Sequence, residues 1–454
     1  MRSVYQTQKG TCMKATNLSR RSFLSLAGLG LAATALAGCS GGGDTTTTEN
    51  GKTVILLWNS MDGSRGDALQ KIVDGFNEQS DEFEVQSEYQ GSYDESTGSF
   101  FNMAGGSGAP AIVQIGEQNL QSMIDSGLVA NVSDLIEQTD FDDSDLLEQA
   151  VNFYTYDSSM YAMPFNSSCP VVYYNQDVLT EAGVTELPTT FEGLTAAAEQ
   201  IAAASDVTPV GLFAYGYAMD QMVTNMGGYV VNNENGRKER CTEVAYQDQI
   251  KVLFDWVKSL NDAGQLTPFS SEDDAISGFS QRQCAIYIDT SATARQIIDA
   301  ADFEVSIGFL PVSEGTEAEG IYAGGGALCI SAGLSDDVAR GVMEFCAYAT
   351  SADVQATWAG DTGYFPISTG AYETDTLSKI YTEYPQLEVS ANQLRNSKVN
   401  NITAGPLCSQ LPQLRTDLET ALESVFNGGD VDAAIETAVN STNSAIESAN
   451  AGVA

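Results

Sequence analysis

The order of apolar and polar runs after residue 52 constrains the fold more than any other feature of this sequence. Residues 53–58 form a compact apolar run typical of a buried strand, and a polar, glycine-containing loop follows over 59–66. Asp67 then begins a helical pattern with an apolar face formed by Leu69, Ile72, Val73 and Phe76. The same patterns recur as strands at 83–85 and 111–115 and as helices at 190–204 and 247–263. This alternation predicts an α/β fold in which helices cover a mostly parallel sheet.

Two loops of such a fold are candidate binding loops. In α/β proteins, ligands bind beyond the carboxyl ends of the strands, especially where two domains face each other. The first candidate follows Trp58, and the second contains Gly116 and Glu117.

The N-terminus has the features of an export signal. Arg20 and Arg21 precede a short run of small apolar residues that ends in Leu-Ala-Gly-Cys at 36–39. This order resembles a twin-arginine signal with a lipobox, in which Cys39 is diacylated and becomes the first residue of the processed chain. A transmembrane helix is the alternative, but the run is shorter than the roughly 20 residues that span a bilayer. Residues 1–39 are therefore predicted to be a lipoprotein signal, with Met13 as an alternative start.

A flexible linker is predicted to follow the signal. Residues 40–52 include three consecutive glycines and four consecutive threonines, which cannot bury apolar surface. A tether at this position fits a protein held outside the cytoplasm by a lipid on Cys39. We therefore expect an extracytoplasmic chain that is anchored to the cell membrane.

Charge and length exclude one class of partner and set the number of domains. The chain has 20 lysines and arginines against 61 aspartates and glutamates, for a net charge of −41, and no polybasic cluster. Nucleic-acid binding is therefore excluded, and the acidity is typical of a soluble surface. With 43% hydrophobic residues, the part after the linker is long enough for two domains.

The absence of histidine restricts catalysis. It excludes Ser-His-Asp and Cys-His nucleophilic sites and HExxH metal sites. A glycosidase that uses two carboxylates stays open, because 61 acidic residues could supply the pair.

The cysteines leave disulfide bonding open. Six remain when Cys12 and Cys39 are set aside: Cys169, Cys241, Cys284, Cys329, Cys346 and Cys408. An even number outside the cytoplasm permits disulfides, but the wide spacing indicates no pairing. Because the chain has no CxxC pair, no structural zinc site is predicted, and we expect neither a metal nor a cofactor.

Five segments carry a resemblance to a known family. They are LWNSMDG at 57–63, PFNSS at 164–168, VYYN at 172–175, TGYFPI at 362–367 and PQLR at 412–415. Together they resemble, in order along nearly the whole chain after the linker, the sn-glycerol-3-phosphate-binding proteins of bacterial ABC importers, within extracellular solute-binding protein family 1. The last two segments form the more specific combination.

The resemblance implies a periplasmic-binding-protein fold and a transport role. Two α/β lobes are expected to be joined by hinge strands, with the ligand cleft between them. Residues 53–167 and 326–354 would form lobe 1, and residues 168–325 and 355–454 would form lobe 2. Such a protein captures a small molecule, delivers it to ABC permease subunits and is not an enzyme.

The resemblance also implies a set of ligand-binding residues, namely Tyr93, Glu117, Ser168, Thr290, Gly325, Tyr364 and Arg415, with Thr290 at a position that is a serine in the family. An arginine offers a planar fork of donors for two phosphate oxygens, and hydroxyl and glycine N–H groups supply single donors. The Glu117 carboxylate would repel phosphate and suits the glycerol hydroxyls instead. By residue type alone, Arg415 could equally be a surface ion-pair partner, and Gly325 a turn residue.

Departures from the family keep the ligand open. Asn59 stands where the family usually has histidine, and GLFAYGYAMD at 211–220 replaces a stretch with two ligand-packing tryptophans. With Tyr217 and the small residues Gly216 and Ala218 in place of the tryptophans, we expect extra volume that admits a phosphodiester such as glycerophosphocholine at least as well as glycerol 3-phosphate. The alternatives are an oligosaccharide receptor, a surface hydrolase with a carboxylate pair, and an adhesin or sensor that has kept the fold.

Overall fold

The structure, a computed structural model, describes residues 47–106 and 108–453. The predicted signal, its lipidation site Cys39 and residues 40–46 of the predicted linker lie outside the described residues. Within those ranges, no helix is long and apolar enough to cross a membrane.

The strands of the described residues form two five-stranded sheets and one two-stranded sheet. In chain order they are β1 (Thr53–Asn59), β2 (Phe83–Tyr89), β3 (Ile112–Gly116), β4 (Thr155–Tyr156), β5 (Ser159–Met160), β6 (Met163–Ser168), β7 (Pro170–Asn175), β8 (Thr208–Leu212), β9 (Leu266–Pro268), β10 (Cys284–Thr290), β11 (Val305–Gly308) and β12 (Gly324–Ile330).

The first sheet has the order β2-β1-β3-β12-β6, and the second has the order β11-β7-β10-β8-β9. In the first sheet β1 is parallel to β2 and β3, whereas β12 is antiparallel to β3 and β6. In the second sheet β8 is parallel to β9 and β10, whereas β7 is antiparallel to β10 and β11. The α/β prediction is confirmed, but both sheets are mixed, because strands arriving from the other sheet run in the opposite direction.

Helices surround the two sheets. They are α1 (Gly63–Gln79), α2 (Tyr93–Met103), α3 (Leu120–Ser126), α4 (Val132–Glu137), α5 (Glu148–Tyr154), α6 (Gln176–Ala182), α7 (Phe191–Ala204), α8 (Gly216–Asn225), α9 (Asn232–Asn235), α10 (Gln247–Asp262), α11 (Glu272–Ser280), α12 (Ala294–Ala300), α13 (Asp336–Ala349), α14 (Ala352–Thr362), α15 (Asp375–Glu383), α16 (Leu387–Arg395), α17 (Leu411–Phe426) and α18 (Val431–Ala451). Short 3₁₀ helices lie at Glu117–Asn119, Asp143–Asp145, Ser291–Thr293 and Gly370–Glu373.

Local sequence explains the best-predicted helix. The Thr190 side chain accepts a hydrogen bond from the Gly193 N–H at 3.0 Å and so caps α7. The apolar residues then recur at helical spacing and are buried as one face: Phe191, Leu194, Ala197, Ala198 and Ile201. Helix α10 also lies where periodicity predicts it. Helix α1 begins at Gly63, four residues before the predicted start at Asp67.

The chain passes between the two sheets at closely spaced points. Strand β6 ends at Ser168 in the first sheet, and β7 begins at Pro170 in the second, so only Cys169 separates them. The chain returns from β11 to β12. The predicted lobe boundary at 167/168 separates the last residue of β6 from the rest of that strand. The boundary at 325/326 falls inside β12, and the boundary at 354/355 falls inside α14. The exact division of the chain into lobes stays a prediction.

The six cysteines in the described residues are buried free thiols. Burial raises the pKa of the Cys169, Cys284 and Cys346 thiols to about 12. These three side chains therefore act as small apolar residues of the core.

Candidate functional site

A buried ion pair joins the segment after β3 of the first sheet to helix α17. Strand β3 ends at Gly116, and Glu117 begins the 3₁₀ helix that follows. The Glu117 Oε1 atom accepts a hydrogen bond from Nη2 of Arg415 on α17 at 2.7 Å. Only 4% of the Glu117 side chain and 11% of the Arg415 side chain are exposed. Two of the predicted ligand-binding residues are therefore in direct contact.

Asp220 is a second buried carboxylate on Arg415. Its Oδ2 atom accepts a hydrogen bond from Arg415 Nε at 2.7 Å, and its Oδ1 atom accepts one from the Tyr322 hydroxyl at 2.5 Å. Arg415 Nη2 also donates to the Tyr322 hydroxyl at 3.0 Å. Burial raises the pKa of Asp220 to about 6, although the Arg415 charge opposes the shift.

Sequence reasoning missed Asp220. The residue lies at the end of the stretch that departs from the family, where the prediction rests on Tyr217 and its small neighbours Gly216 and Ala218. The signal was present, because Asp220 is the charged residue of α8, whose ten residues are all buried. A carboxylate in such a helix needs a cationic or hydrogen-bonding partner.

Aromatic rings line the α8 side of the site. The Arg415 guanidinium lies 5.0 Å from the centre of the Tyr217 ring, within cation–π range. Tyr217 packs edge-on against Tyr215 at 5.6 Å, and Tyr215 stacks on Phe213 at 4.8 Å. These three rings form a continuous wall. The extra volume expected beside Tyr217 stays a prediction.

Tyr217 also connects α8 to the end of β6. Its hydroxyl donates to the Ser168 carbonyl oxygen at 2.9 Å. Ser168 pairs with Gly324, where a Cβ atom would lie 1.9 Å from the Tyr217 hydroxyl. Gly325 has φ +91°, and a Cβ there would lie 2.3 Å from the Asn166 carbonyl oxygen. Both glycines are therefore required for this close approach.

Two tyrosines lie on the other side of the β6 end. Tyr93 begins α2, and its hydroxyl accepts a hydrogen bond from Asn166 Nδ2 at 2.8 Å. Tyr364 stacks on Trp358 at 5.5 Å and lies beside Tyr93, whose pKa is raised well above its usual value by burial and by this neighbour. The Phe365 N–H donates to the Ser167 carbonyl oxygen at 3.1 Å, which brings Tyr364 to the end of β6.

Thr290 lies at the end of β10 and has a local structural role. Its Oγ1 atom accepts a hydrogen bond from the Ala292 N–H at 3.2 Å, and its carbonyl oxygen accepts one from the Tyr173 hydroxyl at 2.6 Å. Within the described ranges, no hydrogen bond joins Thr290 to the other predicted site residues. Its part in binding a ligand stays a prediction.

A second arginine, missed in the sequence, lies near the tyrosine side. Arg65 of α1 is 38% exposed and lies 3.6 Å from Asp62. Burial lowers the pKa of Arg65, but the nearby Tyr364, Tyr93 and Asp62 raise it overall. The site thus combines cations, carboxylates and hydroxyl groups, which suits the binding of a small polar molecule.

Comparisons with known proteins show the family to which the chain belongs. The pattern of the family described as bacterial extracellular solute-binding protein matches residues 71–389. The sn-glycerol-3-phosphate-binding periplasmic protein UgpB of Yersinia pseudotuberculosis is 27% identical over 83% of this chain and 88% of its own. UgpB of Salmonella typhimurium is 25% identical over 86% of this chain and 92% of its own.

Two solved structures show the same fold. UgpB from Mycobacterium tuberculosis, in complex with glycerophosphocholine, superposes with a TM-score of 0.74 at 19% identity, over 87% of this chain and 98% of that one. The acarbose-binding GacH receptor of Streptomyces glaucescens superposes with a TM-score of 0.70 at 20% identity, over 86% of this chain and 97% of that one.

Proposed function

Because the chain belongs to the family of bacterial extracellular solute-binding proteins, we propose that it captures glycerol 3-phosphate or a glycerophosphodiester for an ABC importer. The observation that carries the proposal is the Arg415–Glu117 pair, in which a buried guanidinium of α17 and a buried carboxylate after β3 lie 2.7 Å apart. The cation suits a phosphate group, and the carboxylate suits the hydroxyl groups of glycerol. The similarity to UgpB proteins supports this ligand class.

The remaining predicted residues would surround this pair. Ser168 and Gly325 lie together at the β6–β12 edge, and Tyr93 and Tyr364 lie beside it. Their hydroxyl and backbone N–H groups would donate single hydrogen bonds to the ligand, with Thr290 contributing from the second sheet. Because the donors come from elements of both sheets, ligand binding would favour a closed arrangement of the two lobes.

Location and partners complete the proposal. The protein would work outside the cytoplasm, exported by its twin-arginine signal and held at the membrane by a lipid on Cys39. From there it would deliver the ligand to permease subunits. We propose no catalytic step, because its relatives are binding proteins and both carboxylates in the site are held by Arg415. This arrangement also makes a carboxylate-pair hydrolase the weaker alternative.

Substitution of Arg415 tests the phosphate contact. Arg415→Ala should weaken binding of a phosphate-bearing ligand by about 2 to 5 kcal/mol, the range for truncating one partner of a buried charge pair. Titration calorimetry with glycerophosphocholine and with glycerol 3-phosphate gives the measurement. Arg282→Ala is the matched control, because Arg282 is 37% exposed and pairs with Asp177 and Asp302 on the surface. Unchanged affinity in Arg415→Ala would remove Arg415 from the binding site.

An oligosaccharide receptor is the second candidate. The wall of Phe213, Tyr215 and Tyr217 favours it, because sugar rings pack against aromatic faces, and the acarbose-binding GacH receptor shares the fold. A thermal-shift screen separates the two candidates. Stabilisation by maltooligosaccharides, with none by glycerol phosphates or their diesters, would replace the proposed ligand class.

A further inference from the structure

Asp220 occupies a position that is costly for a carboxylate. It is the charged residue of α8, its side chain is 0% exposed, and its neighbours in the helix include Ala218, Met219 and Met222. A buried carboxylate is destabilising unless its charge and its oxygen atoms have partners. The partners in this chain are Arg415 and Tyr322, one on each carboxylate oxygen.

This pairing fixes the orientation of the Arg415 guanidinium. Asp220 holds Nε, while Glu117 and the Tyr322 hydroxyl accept from Nη2. No hydrogen bond from Nη1 is found within the residues that the structure describes. Both Nη2 protons are thus used by Glu117 and Tyr322, so Nη1 is the nitrogen that a phosphate could approach, while Asp220 holds Nε.

The pairing also sets the charge of the site. One guanidinium faces two carboxylates, so the cluster of Arg415, Glu117 and Asp220 has no excess positive charge to balance an incoming anion. Repulsion from Asp220 acts on every negative charge of the ligand, and burial weakens screening by water and salt. A phosphate monoester carries close to two negative charges at pH 7, and a phosphodiester carries one.

We propose that Asp220 is the specificity-determining and positioning residue of this site. Asp220 makes the site select a singly charged or zwitterionic phosphodiester over a dianionic phosphate monoester. The inference rests on the proposed function and narrows its ligand class. Asp220 acts through Arg415, by holding Nε and by opposing added negative charge.

Binding of the phosphodiester should be accompanied by proton uptake at Asp220. The groups that face Asp220 are Arg415 of α17, Tyr322 from the segment before β12, and Glu117 after β3. Its pKa stands at about 6 before a ligand is added, chiefly because of burial. An anion bound on Arg415 raises that pKa further, so binding takes up a proton between about pH 6 and pH 7. A diester does not titrate in this range, so the proton reports on the protein.

Titration calorimetry of the wild type and of Asp220→Asn tests the proposal, with glycerophosphocholine and glycerol 3-phosphate as probes in buffers of different ionisation enthalpy. The wild type should bind the diester at least about tenfold more tightly and take up a fraction of a proton. Asp220→Asn should shift the affinity ratio toward the monoester by about tenfold or more and lose the proton uptake with the diester. Asp299→Asn is the control, because Asp299 forms an exposed ion pair with Arg295.

Tyr322→Phe provides a second test of the proposal if Asp220→Asn does not fold. This substitution removes one hydrogen-bond donor to Asp220 and so raises the pKa of its carboxyl group further. The ratio of diester to monoester affinity should therefore shift toward the monoester, by less than in Asp220→Asn. If both probes bind the wild type but the ratio and the proton uptake are the same in the folded variants, the role of Asp220 is refuted and the proposed function stands. If neither probe gives heat with the wild type, the proposed function itself is refuted, and this inference with it.

Discussion

The absence of a side chain at Gly325 allows strands β6 and β12 to pair closely at the site. At Gly325 the backbone has φ +91°, and a Cβ would lie 2.3 Å from the Asn166 carbonyl oxygen and 3.2 Å from the Ser168 N–H nitrogen. Both atoms belong to backbone that cannot move without breaking the β6–β12 pairing. The glycine thus keeps Ser168 beside β12.

Gly325→Ala should therefore cost more than backbone strain alone. We expect a loss of at least about 2 kcal/mol in the free energy of unfolding, measured by urea titration, because strain and a steric clash add. Gly264→Ala is the matched control, since Gly264 has φ +69° with nothing within 4 Å of the added Cβ, and should cost about 1 kcal/mol. Equal losses in the two variants would show that no clash exists at Gly325.

At the scale of single residues, the sequence predicted some contacts of the site and missed others. Glu117 and Arg415 were expected to belong to one site, and the structure places them 2.7 Å apart. Asp220 was missed because its partners Tyr322 and Arg415 are 102 and 195 residues away along the chain. No local pattern indicates such a pairing, since it depends on how α8, α17 and the segment before β12 pack.

Among the elements, a partly buried arginine joins segments that are distant along the chain. Arg237 follows α9 and donates to the carbonyl oxygens of Phe153, Thr155, Ala404 and Gly405. Its guanidinium also lies 5.2 Å from the centre of the Phe153 ring. Burial lowers the pKa of Arg237 to about 9. This side chain fixes the end of α5 and the start of β4 to the segment that leads into α17.

Arg237→Met should leave those carbonyl oxygens without a donor while keeping the apolar part of the side chain. We expect a loss of about 2 to 4 kcal/mol in the free energy of unfolding, as for other buried polar groups that lose their partners. Urea unfolding measures it, with Arg282→Met as the exposed control, which should cost less than about 1 kcal/mol. A loss no larger than that of the control would contradict this role.

Periodicity predicted those elements whose signals are local. Helix α7 lies where capping and apolar spacing place it, and α10 lies where apolar spacing alone places it. The start of α1 was predicted four residues too late, because Asp62 occupies the N-cap position without a side-chain hydrogen bond, and Gly63 and Ser64 favour a loop. The mixed sheets were not foreseen, because strand direction depends on the crossings between the sheets.

On the scale of the whole molecule, the protein combines a predicted membrane anchor with a binding body. The signal and lipidation site are predictions from the sequence, and they concern residues outside those described. The body, by contrast, is described by the structure as two five-stranded sheets surrounded by helices, and it shares the fold of a solved binding protein. The two parts can therefore be tested separately.

Cys39→Ser tests the anchor. The variant should be exported but no longer retained at the membrane, because the thioether-linked lipid requires the sulfur atom. Cell fractionation provides the measurement, and Cys12→Ser is the control that should remain with the membrane. Complete retention of the Cys39→Ser variant would show that the lipobox interpretation is wrong.

We expect the site at Arg415 and Glu117 to bind a phosphate-bearing glycerol derivative. A crystal structure of the protein with glycerophosphocholine tests it most directly. We expect a phosphate oxygen within about 3 Å of Arg415 Nη1, and a glycerol hydroxyl within the same distance of a Glu117 carboxylate oxygen. A ligand bound elsewhere, or bound with its phosphate away from Arg415, would contradict the account.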